Sequence, residues 1–344
     1  MVSFDNIYKA FRKAVRHKGL MPCSLRFVEN LEGNLILIKE QLENQSYIPG
    51  PYTTFVIHEP KQRMISAAPF HDRIVHHCLV NVIEPIYEQI FIYGCYANRK
   101  AKGVHQAIRD VQKAMRHNRY ILHCDIRKYF PSIDHEILKK IFRKKIKDPY
   151  VLRLMDVIVD GSNEQEEVWD YFPGDDLFTP LQRRRGLPIG NLTSQFFANL
   201  YLNDLDHFIK EKLGCRTYMR YVDDLAVLDN DKQHLRFVCR EIEKYVTSLR
   251  LRLHPGKRHI RPVSIGERFL GQIIFPDRRL LPKPNVRRFM RRMRWMQKEY
   301  SCGRMEFAEV NHRVQSWLGH AKQANTYALR ASLFEQISFR RNII

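Results

Sequence analysis

Two adjacent aspartates, Asp223 and Asp224, stand inside an otherwise apolar run, "RYVDDLAVL" at residues 220–228. The β-branched and aromatic residues on either side predict two strands. Because burying two neighbouring carboxylates within a strand is costly, we expect "TYMRYVDDLAVLDN" to form two strands joined at the aspartates. Most aspartate pairs of this kind are solvated turns, so the pair alone does not establish a chemical role.

A third aspartate makes a chemical role more specific. Asp125 ends another apolar run, "YILHCDI", and is followed by aromatic residues in "CDIRKYF". Burying three carboxylates without cations would be prohibitively costly, and carboxylate oxygens are the ligands that hard divalent ions prefer. The pattern therefore predicts two Mg²⁺ ions, with Mn²⁺ as a substitute, at Asp125, Asp223 and Asp224. Such a pair of ions serves in-line phosphoryl transfer.

The charge of the chain indicates the partner. Lysine and arginine outnumber aspartate and glutamate 58 to 37 in 344 residues, which gives a net charge of +21. Nucleic acid is favoured over a membrane because no apolar run approaches the roughly 18 residues of a spanning helix. The N-terminus lacks the apolar core of a signal peptide, so we expect a soluble, intracellular protein. The seven cysteines stand singly and indicate neither a zinc knuckle nor a disulfide framework.

Strand and helix patterns alternate without the regularity of βαβ units, which predicts an α+β fold. Residues 1–45 have helical spacing, short strands are expected within 47–70, and residues from 280 onward are helical and strongly basic. Asp134 is a plausible N-cap of a helix at 134–146. Residues 161–180 form an acidic loop, which is either a solvated loop or a patch for a basic partner.

Five motifs occur in a fixed order: "CDIRKYF", "GLPIGNLTSQ", "YVDD", "LHPGK" and "RFLGQII". Together they resemble the successive palm motifs of reverse transcriptases, over roughly residues 48 to 280. The resemblance implies a right-hand polymerase fold, with fingers, a palm of antiparallel sheet plus helices, and a helical thumb. It divides the chain into an N-terminal helical extension at 1–47, fingers and palm at 48–280, and a basic helical thumb at 281–344.

The resemblance also implies roles for residues around the aspartates. The metal ligands would be Asp125, Asp223 and Asp224, with the carbonyl of Ile126 as an additional one. Lys257 in "LHPGK" matches a lysine that gives a proton to pyrophosphate, although an exposed loop lysine is an alternative reading.

Nucleotide binding is implied for a second set. Phe130 matches the steric gate that packs under the incoming sugar and excludes a 2′-hydroxyl; the alternative is a core aromatic beside Tyr129. Lys61 and Arg63 match the cations that grip the triphosphate, a role that suits the bidentate fork of arginine. Phe269, Leu270 and Gly271 match the primer grip.

The helix expected at "PNVRRFMRRMRWMQKE" separates apolar from basic residues. Val286, Phe289, Met290, Met293 and Met296 fall on one side. Acidic residues are nearly absent and Trp295 is interleaved, which favours contact with a phosphate backbone over a merely solvated face. The residues expected to follow template and primer are Arg287, Arg288, Arg291, Arg292 and Arg294.

Two departures from the common pattern narrow the resemblance. Ile189-Gly190 replaces the usual Gln-Gly, and Ser194-Gln195 replaces Ser-Pro. With "SAAPFHDRIVHH" and "SWLGHAKQANTYALR", they resemble reverse transcriptases of diversity-generating retroelements, and place Ile189, Gly190 and Gln195 at the nascent base pair. That family implies error-prone cDNA opposite template adenines, and a cytoplasmic location in a bacterial, phage or archaeal cell. It further implies a structured template and primer RNA, and a small helical accessory protein, often a pentamer.

Other readings remain open. A retron or phage-defence reverse transcriptase is disfavoured by the absence of a Val-Thr-Gly triplet after the palm, and a group II intron type by the missing Gln-Gly and by the absence of an endonuclease module. An RNA-dependent RNA polymerase would want a polar residue at Phe130. A catalytically silent RNA-binding subunit would be expected to have lost at least one of the three aspartates.

Overall fold

The computed structural model describes residues 1–16, 19, 21–58, 62–163 and 165–341. Lys61, expected to bind the triphosphate, lies outside the described residues. Within them, no helix combines the length and the apolar character needed to cross a membrane.

The N-terminal part is helical, as the spacing of its apolar residues predicted. It contains α1 (Phe4–Val15), α2 (Pro22–Glu29) and α3 (Leu31–Glu43). The buried face of α1, which includes Ile7 and Ala10, packs along α4 (Phe70–Glu88). Between α3 and α4, β1 (Thr53–Ile57) and β2 (Arg63–Ala67) form an antiparallel two-stranded sheet, and β1 is exposed along its whole length.

The central sheet has four antiparallel strands in the spatial order β4-β5-β3-β6. They are β3 (Tyr120–Asp125), β4 (Thr217–Tyr221), β5 (Asp224–Asp229) and β6 (His259–Pro262). Side chains alternate between the two faces of a strand, so Leu122 and Cys124 enter the main core while Ile121 joins a second core. His123 and Asp125 share the face of Ile121.

Helices cover both faces of this sheet. On one face α5 (Val104–Met115) packs through Ile108 and Val111. On the other face lie α7 (His135–Lys145), α8 (Pro149–Asp160), α10 (Leu192–Tyr201), α11 (Asn203–His207) and α12 (Lys232–Ser248). Two short helices complete this region, α6 (Tyr129–Ser132) and α9 (Thr179–Gln182), and Phe208–Lys212 is a π-helical turn. Asp134 caps α7 as predicted, because its side chain accepts a hydrogen bond from Ile137 N at 3.0 Å.

The C-terminal part begins with a three-stranded antiparallel sheet of β7 (Glu267–Phe269), β8 (Gln272–Ile274) and β9 (Arg279–Leu280). Short 3₁₀ segments, Pro255–Lys257 and Val263–Ile265, flank β6. Three helices follow: α13 (Lys283–Ser301), α14 (Phe307–Ala321) and α15 (Tyr327–Glu335). They enclose a separate apolar core that includes Phe289, Met293 and Leu333. The molecule is therefore a mixed helix and sheet protein with antiparallel sheets, in agreement with the predicted α+β class.

Candidate active site

The aspartates lie at a strained hairpin turn between β4 and β5. Tyr221 pairs with Asp224, so Val222 and Asp223 form a two-residue loop. Val222 has φ of 56°, a left-handed conformation that a β-branched residue adopts only under strain. Two hydrogen bonds hold the loop: Arg220 Nη1 donates to Val222 O at 2.9 Å, and Ile126 N donates to Asp223 O at 3.3 Å.

The structure brings the three predicted aspartates together. Asp125 at the end of β3 is the register partner of Asp224 at the start of β5, and Asp223 precedes Asp224 in the loop. Burial and the neighbouring carboxylates of Asp224 and Asp125 raise the pKa of Asp223 to about 7. Three carboxylates that repel one another at one sheet edge form a site to which a divalent cation would contribute most.

The carbonyl of Ile126 faces the same place. Ile126 forms an antiparallel bridge with Leu253 in which the hydrogen bonds run from the flanking residues, His254 N to Asp125 O and Arg127 N to Arg252 O. The N–H and C=O of Ile126 itself therefore point away from Leu253, towards Asp223. Carboxylate oxygens together with this carbonyl would suit Mg²⁺ or Mn²⁺ better than a soft transition metal.

Two cationic side chains already contact the aspartates. Lys257 Nζ forms an ion pair with Asp125 Oδ2, and His123 Nε2 lies 3.2 Å from Asp224 Oδ1. Burial opposes a charged imidazole ring, but hydrogen bonds to Asp224 and Glu267 raise the pKa of His123 to about 9. The role of Lys257 towards pyrophosphate remains a prediction, and the structure places its ammonium group at the site.

Two of the expected nucleotide-binding residues, Phe130 and Ile189, are linked through backbone hydrogen bonds of the segment 187–190. Phe130 is half-buried and its carbonyl accepts a hydrogen bond from Leu187 N at 3.0 Å. Ile189, also half-buried, accepts at its carbonyl from Ser66 N at 2.9 Å, which ties the segment 187–190 to β2. Gly190 has φ of 126°, and a Cβ there would lie 3.2 Å from Ser66 O, so the position requires glycine.

Two further expected nucleotide-binding residues are Arg63 on β2 and Gln195 on α10. Arg63 begins β2 and is exposed. Gln195 is half-buried on α10, where with Lys13, Arg73 and Gly190 it lines an open cavity of about 230 Å³. The basic lining of this cavity suits a phosphate-bearing strand.

The three residues expected to grip a primer form a tight turn between β7 and β8. Phe269 pairs with Gln272, and the two loop residues, Leu270 and Gly271, have φ of 46° and 84°. Positive φ at both positions is the signature of a type I′ turn. Phe269 is buried and its ring lies 6.0 Å from that of His123, so this turn adjoins the strand that carries Asp125.

Sequence reasoning missed the most buried ion pair of the site. Arg220 is fully buried and pairs bidentately with Asp206, with Nε to Oδ1 at 2.7 Å and Nη2 to Oδ2 at 2.6 Å. Tyr218 donates a third hydrogen bond to Asp206 at 2.7 Å. The one sequence feature that could have indicated this ion pair is an arginine between two strand residues in "TYMRY". His123 and Glu267 were also missed, because a histidine or glutamate within an apolar stretch has no spacing signature.

Three carboxylates of the acidic loop at 161–180 are paired with the chain's own cations. Asp170 pairs with Arg127, and Asp175 with Arg183. Glu166 lies 2.7 Å from the ammonium group of Lys128. These three ion pairs hold the loop against the rest of the chain, and the loop as a patch for a basic partner stays a prediction.

Helix α13 separates its residues as the sequence predicted. Phe289, Met293 and Met296 are buried, and Phe289 stacks on Trp317 with ring centroids 3.7 Å apart. Val286 and Met290 are half-buried against the same core. The arginines occupy the outer side: Arg287, Arg291, Arg292 and Arg294 are exposed and Arg288 is half-buried.

We predict that replacing Arg287 and Arg291 by Gln weakens binding of an RNA–DNA duplex and makes it less sensitive to salt. Each lost phosphate contact should lower the slope of log K against log[salt] by about 0.7–0.9. Titrations of the duplex at several KCl concentrations would measure this slope. The matched control replaces Arg236 and Arg240 by Gln on α12. These two arginines are also exposed, but their helix packs against the main core and not against the C-terminal core that contains α13. Equal slopes for both double variants would contradict the assignment.

A carboxylate cluster at one end of an antiparallel sheet, in a chain of net charge +21, is the arrangement expected of a nucleic acid polymerase. The sequence profile of the family described as reverse transcriptase (RNA-dependent DNA polymerase) matches residues 57–274. The chain belongs to this family and is an RNA-directed DNA polymerase.

The relatives of the chain include intron-encoded proteins. It is 25% identical over 288 residues to protein YkfC of Escherichia coli strain K12. The matched region covers 71% of this chain and 72% of YkfC. It is 23% identical over 248 residues to the group II intron-encoded protein LtrA of Lactococcus lactis subsp. cremoris, covering 70% of this chain but 39% of LtrA. An uncharacterized 91 kDa protein in the cob intron of Schizosaccharomyces pombe is 24% identical over 216 residues, covering 61% and 25% respectively.

Proposed function

We propose that the chain copies RNA into DNA by nucleotidyl transfer at two Mg²⁺ ions, for which Mn²⁺ substitutes, held by Asp125, Asp223, Asp224 and the carbonyl of Ile126. The observation that supports this most is the meeting of three carboxylates at one sheet edge. The ions would lower the pKa of the primer 3′-hydroxyl and offset the charge of the departing pyrophosphate.

The residues around the aspartates orient the substrates in this proposal. Arg63 and Lys61 bind the triphosphate, and Lys257, already paired with Asp125, supplies a proton to pyrophosphate. The ring of Phe130 packs under the incoming sugar and leaves no room for a 2′-hydroxyl, which selects deoxynucleotides. Phe269, Leu270 and Gly271 hold the primer end, and the α13 arginines follow the duplex.

We further propose that this synthesis is error-prone opposite template adenines, as in diversity-generating retroelements. The supporting observation is Ile189, fixed between Phe130 and β2 by its carbonyl bond to Ser66. A glutamine amide at this position could form hydrogen bonds that stabilise a correctly paired incoming nucleotide, whereas isoleucine offers only apolar contact. Discrimination against mispairs is therefore weaker.

The Ile189→Gln variant should copy template adenines more accurately than the wild type. A single well-placed hydrogen bond is worth about 0.5–1.5 kcal/mol, so we expect about a 2- to 10-fold drop in error frequency. The measurement is deep sequencing of cDNA made on a defined RNA with Mg²⁺ and deoxynucleotides. Ile48→Gln, at a residue that is 81% exposed, is the matched control. An unchanged error spectrum in Ile189→Gln would contradict the role of this position.

The relatives favour a second candidate, a reverse transcriptase of the intron-encoded type. It predicts accurate cDNA from the same experiment, as does the retron or phage-defence alternative. Errors concentrated at adenines in the wild type would exclude both.

The proposed partners of the enzyme are a structured RNA that carries template and primer, and a small helical accessory protein. With so many cations on the chain, association with a basic accessory protein would run through that RNA.

A further inference from the structure

A cluster of two histidines and a glutamate, with His123 and Glu267 buried and His259 half-buried, lies beside the aspartates. His123 on β3 is the register partner of His259 on β6, and Glu267 begins β7. His123 Nδ1 lies 3.1 Å from Glu267 Oε1, and His259 Nε2 lies 2.9 Å from Glu267 Oε2. Glu267 is 1% exposed and His123 is 6% exposed, so the hydrogen bond between them is shielded from water and correspondingly strong.

The second nitrogen of His123 reaches the catalytic turn. Nε2 lies 3.2 Å from Oδ1 of Asp224. The two residues are diagonal neighbours on the same face of adjacent strands, since His123 pairs with Ala226 and Asp125 pairs with Asp224. Both ring nitrogens of His123 are therefore engaged by carboxylates, one from β7 and one from β5.

We propose that His123 is a positioning residue for Asp224, and that Glu267 fixes the His123 ring so that it can act. Asp224 then keeps Oδ1 on the imidazole and leaves Oδ2 for the metal, instead of sampling other rotamers. This inference rests on the proposed role of Asp224 as a metal ligand. Groups that hydrogen-bond metal ligands commonly orient them in this way.

The arrangement also connects two functional turns. Glu267 opens the strand β7 that leads to Leu270 and Gly271, and the Phe269 ring contacts His123. The position of the expected primer grip and the orientation of Asp224 thus share one set of contacts. A displacement of β7 would therefore move Glu267 and His123, and with them the side chain of Asp224.

A metal ion held by the cluster itself is the competing explanation. The ligand atoms of His123, His259 and Glu267 lie within 4.8 Å of one another, and this is the one such group among the described residues. We favour hydrogen bonds because each oxygen of Glu267 already faces a histidine nitrogen, and because His123 also contacts Asp224. The group offers three protein ligands, whereas structural zinc sites use four.

The test compares two substitutions of His123, each of which keeps a hydrogen-bond donor at the position of only one ring nitrogen. The side-chain amide nitrogen of Gln reaches the place of Nε2, and that of Asn the place of Nδ1. His123→Gln should therefore retain the contact to Asp224 and stay within about threefold of wild type. His123→Asn should lose about 10- to 100-fold in kcat and in affinity for Mn²⁺, with KM for deoxynucleotide little changed.

Primer extension gives the kinetic constants, and electron paramagnetic resonance of free Mn²⁺ gives the affinity without turnover. His259→Gln is the control, since His259 contacts Glu267 but is not bonded to Asp224, and it should keep Mn²⁺ affinity within about threefold. Wild-type behaviour of His123→Asn in both measurements, or equal losses in the Asn and Gln variants, would overturn the proposal. So would one equivalent of zinc in the purified protein that is lost in His259→Gln.

An Asp224→Asn variant separates this inference from the proposed function. If the wild type extends primers and Asp224→Asn is equally active, the metal-ligand role of Asp224 has failed, and the positioning role falls with it. If Asp224→Asn is inactive, the proposed role stands, and the His123 variants alone decide the inference.

Discussion

The Asp223→Asn variant is expected to lose primer extension by about 10³-fold or more, while folding at least as stably as the wild type. A metal pair contributes several kcal/mol to such a transition state, and each 1.36 kcal/mol is a factor of ten in rate. Asparagine keeps the shape of the side chain but removes the charge that binds metal. It also removes repulsion, because burial and the carboxylates of Asp224 and Asp125 raise the pKa of Asp223 to about 7.

Loss of activity without loss of stability is the informative combination. Extension on an RNA template with Mg²⁺ and deoxynucleotides would be measured beside thermal unfolding of the same samples. Asp231→Asn is the matched control, since Asp231 caps α12 and asparagine caps a helix equally well. An Asp223→Asn enzyme that extends primers at the wild-type rate would refute the proposed site.

The Arg220→Met variant is expected to lower the free energy of unfolding by about 3–5 kcal/mol, because it leaves the fully buried Asp206 without its cation. Adding Asp206→Leu should recover much of this stability, since a buried ion pair replaced by apolar residues is often neutral in stability. Activity should not recover. The double variant still lacks the donor that holds Val222 O at 2.9 Å, so the aspartate turn loses its support.

Urea unfolding and primer extension on the two variants would separate these effects. Recovery of both stability and activity in the double variant would show that Arg220 only stabilises the fold. Lys139→Met is a useful comparison, because it breaks a partly exposed pair with Asp160, between α7 and α8, and should cost much less.

The elements of this protein could be predicted largely from local sequence, because each has a clear pattern. The apolar run before Asp125 gave β3, and Asp134 gave the start of α7. The two strands at the aspartates were also predicted, although Asp224 begins β5 and only Val222 and Asp223 form the loop. Local patterns sufficed here because alternation and capping are properties of neighbouring residues.

The contacts that support the aspartates could not be predicted in the same way. His123 and Glu267 are 144 residues apart, and Arg220 finds Asp206 across a helix–strand connection. Nothing in the spacing of such residues distinguishes a partner from a solvated charge. Their pairing follows from how β7 packs on the sheet and how α11 packs under β4, which are properties of the assembled fold.

The alternation of faces along β3 has a consequence for how this chain can change in length. Insertion or deletion of one residue between Tyr120 and Cys124 would shift β3 by one position. The side chain of Asp125 would then point into the main core, and a neighbouring residue would take its position beside Asp224. Such a change would abolish the carboxylate cluster at once. Among the described residues of 161–178 there is neither helix nor strand, so a change in the length of this loop shifts the register of no strand. Insertions and deletions among descendants of this chain should therefore collect in that loop and be absent from β3 and β5.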